Sequence, residues 1–196
     1  MGASGWESAP RKKLTLVVPY ADDAPGGERL VLLGMKKRGF GEGLYNGFGG
    51  KVEEHDGSVA AAAVRELQEE SALESSVAEM GEARVGVLLF VFTDDGESAG
   101  LVVWEVHVFF LNVGAARLST ARASEEMTAE TFTVGSIPMD KMWEDDPLWY
   151  PVMLSGGRFT GVVRFTNREP VDGRKQLPKM TEHDIREVAS LPSCNT

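Results

Sequence analysis

Hydrophobic residues along the chain follow two different rhythms. Runs rich in β-branched and aromatic residues read as strands: LTLVVPY (14–20) and RLVLLGMK (29–36) flank an ADDAPGGE turn, and ARVGVLLFVFT (83–93) and LVVWEVHVFFLNV (101–113) form a long hairpin across DDGESAG. TFTVGSI (131–137) and GRFTGVVRFTN (157–167) are further strands. A helix is predicted from the capping Ser58, through an alanine run, to about Leu73. A short helix in PMDKMWEDDPLWYP (138–151) is expected to end at Pro147, and Thr181 with Asp184 resembles a capping box for a last helix, MTEHDIREVAS. KKRGFGEGLYNGFGGK (36–51) reads as a basic, glycine-rich loop, and 168–180 as a surface loop. The order is mixed α/β, with no repeat and no linker between two cores.

Composition narrows the reading. A chain of 196 residues suits one domain, expected over 14–196 behind a disordered leader at 1–13. The net charge of −10 argues against binding a nucleic-acid polymer, which needs a basic footprint, but leaves room for a small anion held through a metal. Cys194 is the single cysteine, so no internal disulfide forms, which fits a reducing compartment. No apolar run approaches membrane-spanning length, and the amino end lacks the apolar core of a signal peptide. A cytoplasmic monomer is the expectation, with a mitochondrial or nuclear pool left open.

Most of the chemistry lies in G-KVEEHD-GSVAAAAV-RELQEESAL (50–73), where Glu66, Glu69 and Glu70 share a helical face behind a glycine-rich loop. Offsets of three and four residues return to one side of a helix. Carboxylates so crowded repel one another, and a hard divalent cation, which prefers oxygen ligands, relieves the repulsion. Arg65 can pair with a neighbouring carboxylate through its planar fork and fix it. The plainer alternative is a solvated helix face laced with Glu–Arg pairs.

This run resembles the signature of the Nudix hydrolases, G-x5-E-x7-R-E-U-x-E-E-x-G-U, in which U is a bulky aliphatic residue. Gly50, Arg65, Glu66, Leu67, Glu69, Glu70 and Leu73 match it. Three positions depart: Asp56 stands for the first glutamate, eight residues rather than seven separate it from Arg65, and Ala72 replaces the late glycine. The insertion falls in the loop before the helix, so the metal face is expected to be intact. The resemblance implies an α/β/α sandwich around a mixed β-sheet. It also implies catalysis by Glu66, Glu69, Glu70, Arg65 and Glu126, with Mg²⁺ (or Mn²⁺ as a substitute) on the Gly49 carbonyl, Glu66, Glu69, Glu70 and Glu126.

VLLGMKKRGFGEGLYNGFGGKV (31–52), VHVF (106–109), SEEM (124–127), MWEDD (142–146) and FTGVVRF (159–165) are similar to the branch of that family acting on oxidised purine nucleoside triphosphates. The implied substrates are 8-oxo-dGTP and 2-hydroxy-dATP, cleaved to monophosphate and pyrophosphate to keep damaged nucleotides out of nucleic acid. By the same resemblance Lys36 lies near the phosphates, Asn46 bonds the purine, Trp143 stacks on it, and Asp145 with Asp146 reads its edge. Phe40 and Phe90 would wall the pocket, and Thr15 would lie near the base. Two close carboxylates in a dry pocket do not both ionise cheaply, so one is expected to stay protonated and donate. Tyr45 stands where that branch has tryptophan and Trp104 where it has methionine. His107, among hydrophobic neighbours, reads as structural. Two other readings stay open: a Nudix pyrophosphatase for another substrate (a dinucleoside polyphosphate, ADP-ribose or a methylated purine nucleotide), and a non-catalytic nucleotide-binding module.

Overall fold

The computed structural model describes residues 6–94, 97–168 and 176–194. Among the described residues eight strands, β1 (Arg11–Ala21), β2 (Leu30–Met35), β3 (Tyr45–Asn46), β4 (Arg84–Asp94), β5 (Glu97–Asn112), β6 (Glu130–Thr133), β7 (Arg158–Thr166) and β8 (Lys179–Val188), form one sheet in the order β3-β2-β1-β5-β4-β7-β8, with β6 on β2. The sheet is mixed: β1 runs parallel to β5 and β4 to β7, and the remaining pairs are antiparallel.

Because successive strand residues point to opposite faces, the neighbours Val17 and Val18, Leu32 and Leu33, and Phe109 and Phe110 each split between two cores. One core takes Ala63 and Leu67 of α1 (Val59–Ser71), Met80 of α2 (Val77–Glu82) and Leu118 of α3 (Gly114–Leu118). The other takes Trp149, Tyr150 and Met153 of α4 (Asp146–Leu154). Helices thus cover both faces, as expected of the sandwich.

The glycine-rich stretch opens the sheet. β1 and β2 pair only at Tyr20–Val31 and Ala21–Leu30, and beyond that they diverge. Residues 45–51 fill the gap, with Tyr45 and Asn46 on β2 and Phe48 and Lys51 bridging to Val17 and Leu14 of β1. A Cβ at Gly49 would lie 2.1 Å from the Thr15 carbonyl oxygen, so that position has no room for a side chain, and one at Gly50 would lie 2.6 Å from the Glu66 carboxylate and displace it.

Several elements differ from expectation. The predicted last helix is strand β8: pairing with β7, including Ile185 packed over Gly161, outweighs the local helix cues, and its charged residues guard an exposed sheet edge. Pro147 opens α4 instead of ending a helix, since the first turn leaves its N–H position unpaired anyway. The strand expected at 131–137 stops at Thr133 and continues as a 3-10 turn, Val134–Ser136. β1 starts at Arg11, within the expected leader, whose residues 1–5 lie outside the described residues, as do 95–96 of the hairpin turn and 169–175 of the 168–180 loop. The small helices α2 and α3 were not anticipated. A capping box, Ser76 with Glu79, signals α2 in the sequence. α3 is held by Asp23, whose Oδ1 accepts the Ala115 N–H at 2.7 Å from a distant loop.

Candidate active site

α1 positions the acidic face. Ser58 Oγ accepts the Ala61 N–H at 3.1 Å and starts the helix. Val59, Ala63 and Leu67 then turn into the core, which leaves Glu66 and Glu70 one turn apart against the glycine loop. Glu70, 6% exposed, accepts the Gly49 N–H at 2.8 Å, and Lys36 Nζ reaches both Glu70 (3.4 Å) and Glu126 (3.3 Å). Burial pushes the Glu70 carboxyl above its ordinary pKa, against the pull of the Gly49 N–H and Lys36, while Glu66 adds repulsion. Burial likewise raises Glu66, with Arg65 opposing it. Arg38 and Lys36 hold the Glu126 carboxyl low. Glu69 is the most exposed of the helical carboxylates, and Arg65 Nη1 contacts both Glu66 (2.9 Å) and Glu69 (3.2 Å).

Asp56, in a 3-10 turn before α1, is the main partner of Arg65, with hydrogen bonds of 2.8 and 3.0 Å. This pair holds the Asp56 carboxyl down at about 2. The extra loop residue is absorbed at Gly57, whose φ of 70° turns the chain from Asp56 into the Ser58 cap. The late glycine's replacement, Ala72, takes a left-handed φ of 60°.

Among the described residues, no three acidic, histidine or cysteine side chains converge closely enough to enclose a metal. The donor set still fits a hard cation. Glu66 and Glu70 are partly desolvated carboxylates that gain from added positive charge, and Lys36 and Arg65 now supply that charge.

A cavity of about 370 Å³ opens beside Glu70. Thr15, Lys36, Phe40, Asn46, Gly49, Glu70, Phe90, Trp143, Asp145 and Asp146, all singled out in the sequence, line it. Glu66, Glu69, Arg65 and Glu126 stand outside the lining, joined to it through Gly50, Glu70 and Lys36. Asp145 and Asp146, in the same lining, are each 2% exposed. Asp145 Oδ2 accepts the Trp149 indole N–H, and Asp146 Oδ2 accepts the Trp143 backbone N–H, both at 3.0 Å. Burial pushes Asp145 up to about 6; burial and the Asp145 charge push Asp146 well above its ordinary value. Two adjacent carboxyls shifted the same way by burial favour holding a proton between them.

Aromatic rings make up much of the rest of the lining. Phe40 lies 5.0 Å from Trp143 and 5.4 Å from Trp104, and Phe92 lies 4.7 Å from Trp104 and 5.4 Å from Phe165. Phe92 and Phe165 were not singled out. Their signal was the two-residue alternation that sets Phe92 on the face of Phe90, and the register that pairs Phe92 with Phe165 is not local. Asn46 Oδ1 accepts the Gly47 N–H at 2.9 Å, so the turn role and the cavity position coexist. His107 lies away from the cavity, 2% exposed, with Nε2 3.0 Å from Glu105. Burial lowers its pKa, consistent with a structural role.

A family profile described as the NUDIX domain matches residues 12–153. The chain is 37% identical to the zebrafish (Danio rerio) oxidized purine nucleoside triphosphate hydrolase over 92% of its own length and 97% of the relative's. It is 38% identical to the mouse (Mus musculus) protein of the same name, over 82% and 89%. Among solved structures, a MutT protein from Bacillus halodurans superimposes with a TM-score of 0.63 at 19% identity, covering 89% of this chain and 97% of that one, a likeness of fold.

Proposed function

Because the chain belongs to the Nudix family, we propose that it is a hydrolase that removes oxidised purine nucleoside triphosphates from the nucleotide pool. The observation that carries this reading is one cavity whose lining brings together Glu70 and Lys36, the Asp145–Asp146 pair, and the rings of Phe40, Trp104 and Trp143. That lining suits a nucleotide, with its phosphates at Glu70 and Lys36 and its base among the rings and the Asp pair.

Trp143 and Phe40 supply ring faces for stacking, worth roughly 1–3 kcal/mol per base. Protonated Asp146 donates to a carbonyl that oxidation adds to the purine or to its tautomer, and Asp145 accepts from a ring or exocyclic N–H. Two linked carboxyls that exchange one proton accommodate both oxidised guanine and oxidised adenine. Glu66, Glu69, Glu70 and Glu126, with the Gly49 carbonyl, would hold magnesium. Bound there, the ion would neutralise phosphate oxygens and lower the pKa of water. Lys36, held beside the acidic face by Glu70 and Glu126, would pair with the phosphates. Arg65 keeps Glu66 and Glu69 oriented. Water attacks a phosphorus of the triphosphate, and the products are the nucleoside monophosphate and pyrophosphate.

Turnover of 8-oxo-dGTP, 2-hydroxy-dATP, dGTP and ADP-ribose, each with and without Mg²⁺, tests the proposal. The expected result is Mg²⁺-dependent pyrophosphate release, fastest from an oxidised purine triphosphate. Faster hydrolysis of ADP-ribose than of either oxidised nucleotide would overturn it.

A further inference from the structure

Strand β3 has only two residues, Tyr45 and Asn46, and its pairing to β2 consists of Met35–Tyr45 and Gly34–Asn46. So short a strand is weakly held by its own backbone. A second set of bonds holds it. The Tyr45 phenol, on a side chain 8% exposed overall, donates to Glu130 Oε2 at 2.7 Å. The other oxygen of Glu130 accepts from Thr128 Oγ1 at 3.0 Å. Thr128 in turn grips Met35, with Oγ1 accepting the Met35 N–H at 2.8 Å and the Thr128 N–H donating to the Met35 carbonyl at 3.0 Å. Since Met35 is the β2 partner of Tyr45, the bonds close a ring: Met35, Thr128, Glu130, Tyr45 and back to Met35. Both side-chain bonds at its centre end on one carboxylate, which strengthens them. Glu130 also keeps the phenol protonated by raising its pKa, and Phe132 packs edge-on against the Tyr45 ring at 5.3 Å.

We propose that Tyr45 and Glu130 are positioning residues for base selection: their ring fixes β3 and so aims the Asn46 amide into the cavity. Neither residue lines the cavity, whereas Asn46 does. The proposal rests on the reading above, in which Asn46 meets the nucleobase. The effect is confined to the base side, because the chain just beyond is anchored separately. Phe48 exchanges two backbone hydrogen bonds with Val17, at 2.6 and 2.8 Å, and the Gly50 carbonyl accepts the Thr15 N–H at 2.8 Å. Gly49, which donates to Glu70, therefore keeps its place when β3 loosens.

The test uses the full chain and the variants Tyr45→Phe, Glu130→Ala, their double variant and Glu130→Gln. Tyr45→Phe and Glu130→Ala are each expected to raise KM for 8-oxo-dGTP about tenfold, the scale of one charge-assisted hydrogen bond, with kcat within about twofold of wild type. The double variant is expected to lose no more than either single one, and Glu130→Gln, which keeps one acceptor for the phenol but not the charge, to fall between wild type and Glu130→Ala. Additive losses, an unchanged KM, or a fall in kcat alone would overturn the proposal. A second readout is the Asn46 side-chain amide signal in ¹⁵N–¹H spectra of the ligand-free protein. It is expected to move in Tyr45→Phe and Glu130→Ala. If wild type cleaves no purine triphosphate, the functional reading fails, and this signal alone decides: a shift supports the positioning role, and an unmoved signal overturns it.

Discussion

Arg65 grips Asp56 with two arms of its guanidinium, Nε to Oδ1 at 2.8 Å and Nη2 to Oδ2 at 3.0 Å, while Nη1 reaches Glu66 and Glu69. One cation thus fixes both the loop before α1 and two carboxylates on it. The pair forms although the signature position holds aspartate and the loop to Arg65 is one residue longer.

Asp56→Asn should weaken that joint. The loss is expected to be about 1–3 kcal/mol near neutral pH, the range for a partly buried charged partner left unmatched. The Asp56 pKa, about 2 in the folded protein, lies below its ordinary 3.8. The unfolded chain therefore takes up the proton first as pH falls. The stabilisation is complete above about pH 4 and disappears as pH drops through the folded value. Urea unfolding of wild type and variant from pH 7 to pH 2 should show a constant gap that closes at the acid end. A gap independent of pH would remove the charge from the explanation.

The Asp145–Asp146 pair reverses the sign. Burial lifts Asp145 to about 6, so the folded protein holds its proton more tightly than the unfolded chain does. Stability is then greatest below the unfolded value near 4 and declines as pH rises toward 6. Asp145→Asn keeps a carbonyl for the Trp149 indole N–H but carries no charge. Its melting temperature relative to wild type should rise between pH 4 and pH 7. At the same time, the preference among 8-oxo-dGTP, 2-hydroxy-dATP and dGTP should change more than the summed activity. A uniform loss on all substrates would show that Asp145 does not read the base.

Glu70 combines three positions: it accepts the Gly49 N–H, contacts Lys36 and lines the cavity. Glu70→Gln preserves the size and an acceptor for Gly49 while deleting the charge a cation needs. Activity with saturating Mg²⁺ is expected to fall at least about a hundredfold, with a melting temperature close to wild type. Activity within a few-fold of wild type would show that the metal face is misplaced.

The sequence made much of this site legible because its chemistry is local. Glu66, Glu69 and Glu70 recur at helical spacing, and MWEDD brings Trp143, Asp145 and Asp146 within four residues, so their placement depends on one element each. Contacts that depend on pairing were hidden. Nothing near MTEHDIREV reveals that β7 recruits it as an edge strand, and nothing near Glu130 reveals Tyr45, 85 positions away. Pro147 is ambiguous in sequence because proline both ends helices and begins them, and the buried Trp149 and Tyr150 behind it decide for the second.

Ala72 offers a test with a readout apart from catalysis. It closes α1 with a φ of 60° at an exposed position, where its N–H bonds the Gln68 carbonyl. A Cβ in the left-handed region costs roughly 1–2 kcal/mol, and glycine escapes most of that cost at the price of a more flexible unfolded chain. Ala72→Gly is therefore expected to stabilise the protein by a net of about 1 kcal/mol, since glycine is the usual residue at such a helix end. Denaturant midpoints should rise with an unchanged slope, and kcat and KM for 8-oxo-dGTP should stay at wild-type values, because Glu69 and Glu70 sit on helical backbone that the cap already holds. A loss of stability would mean that Ala72 carries packing its exposure does not show, and a change in kcat would mean that the cap helps place the acidic face.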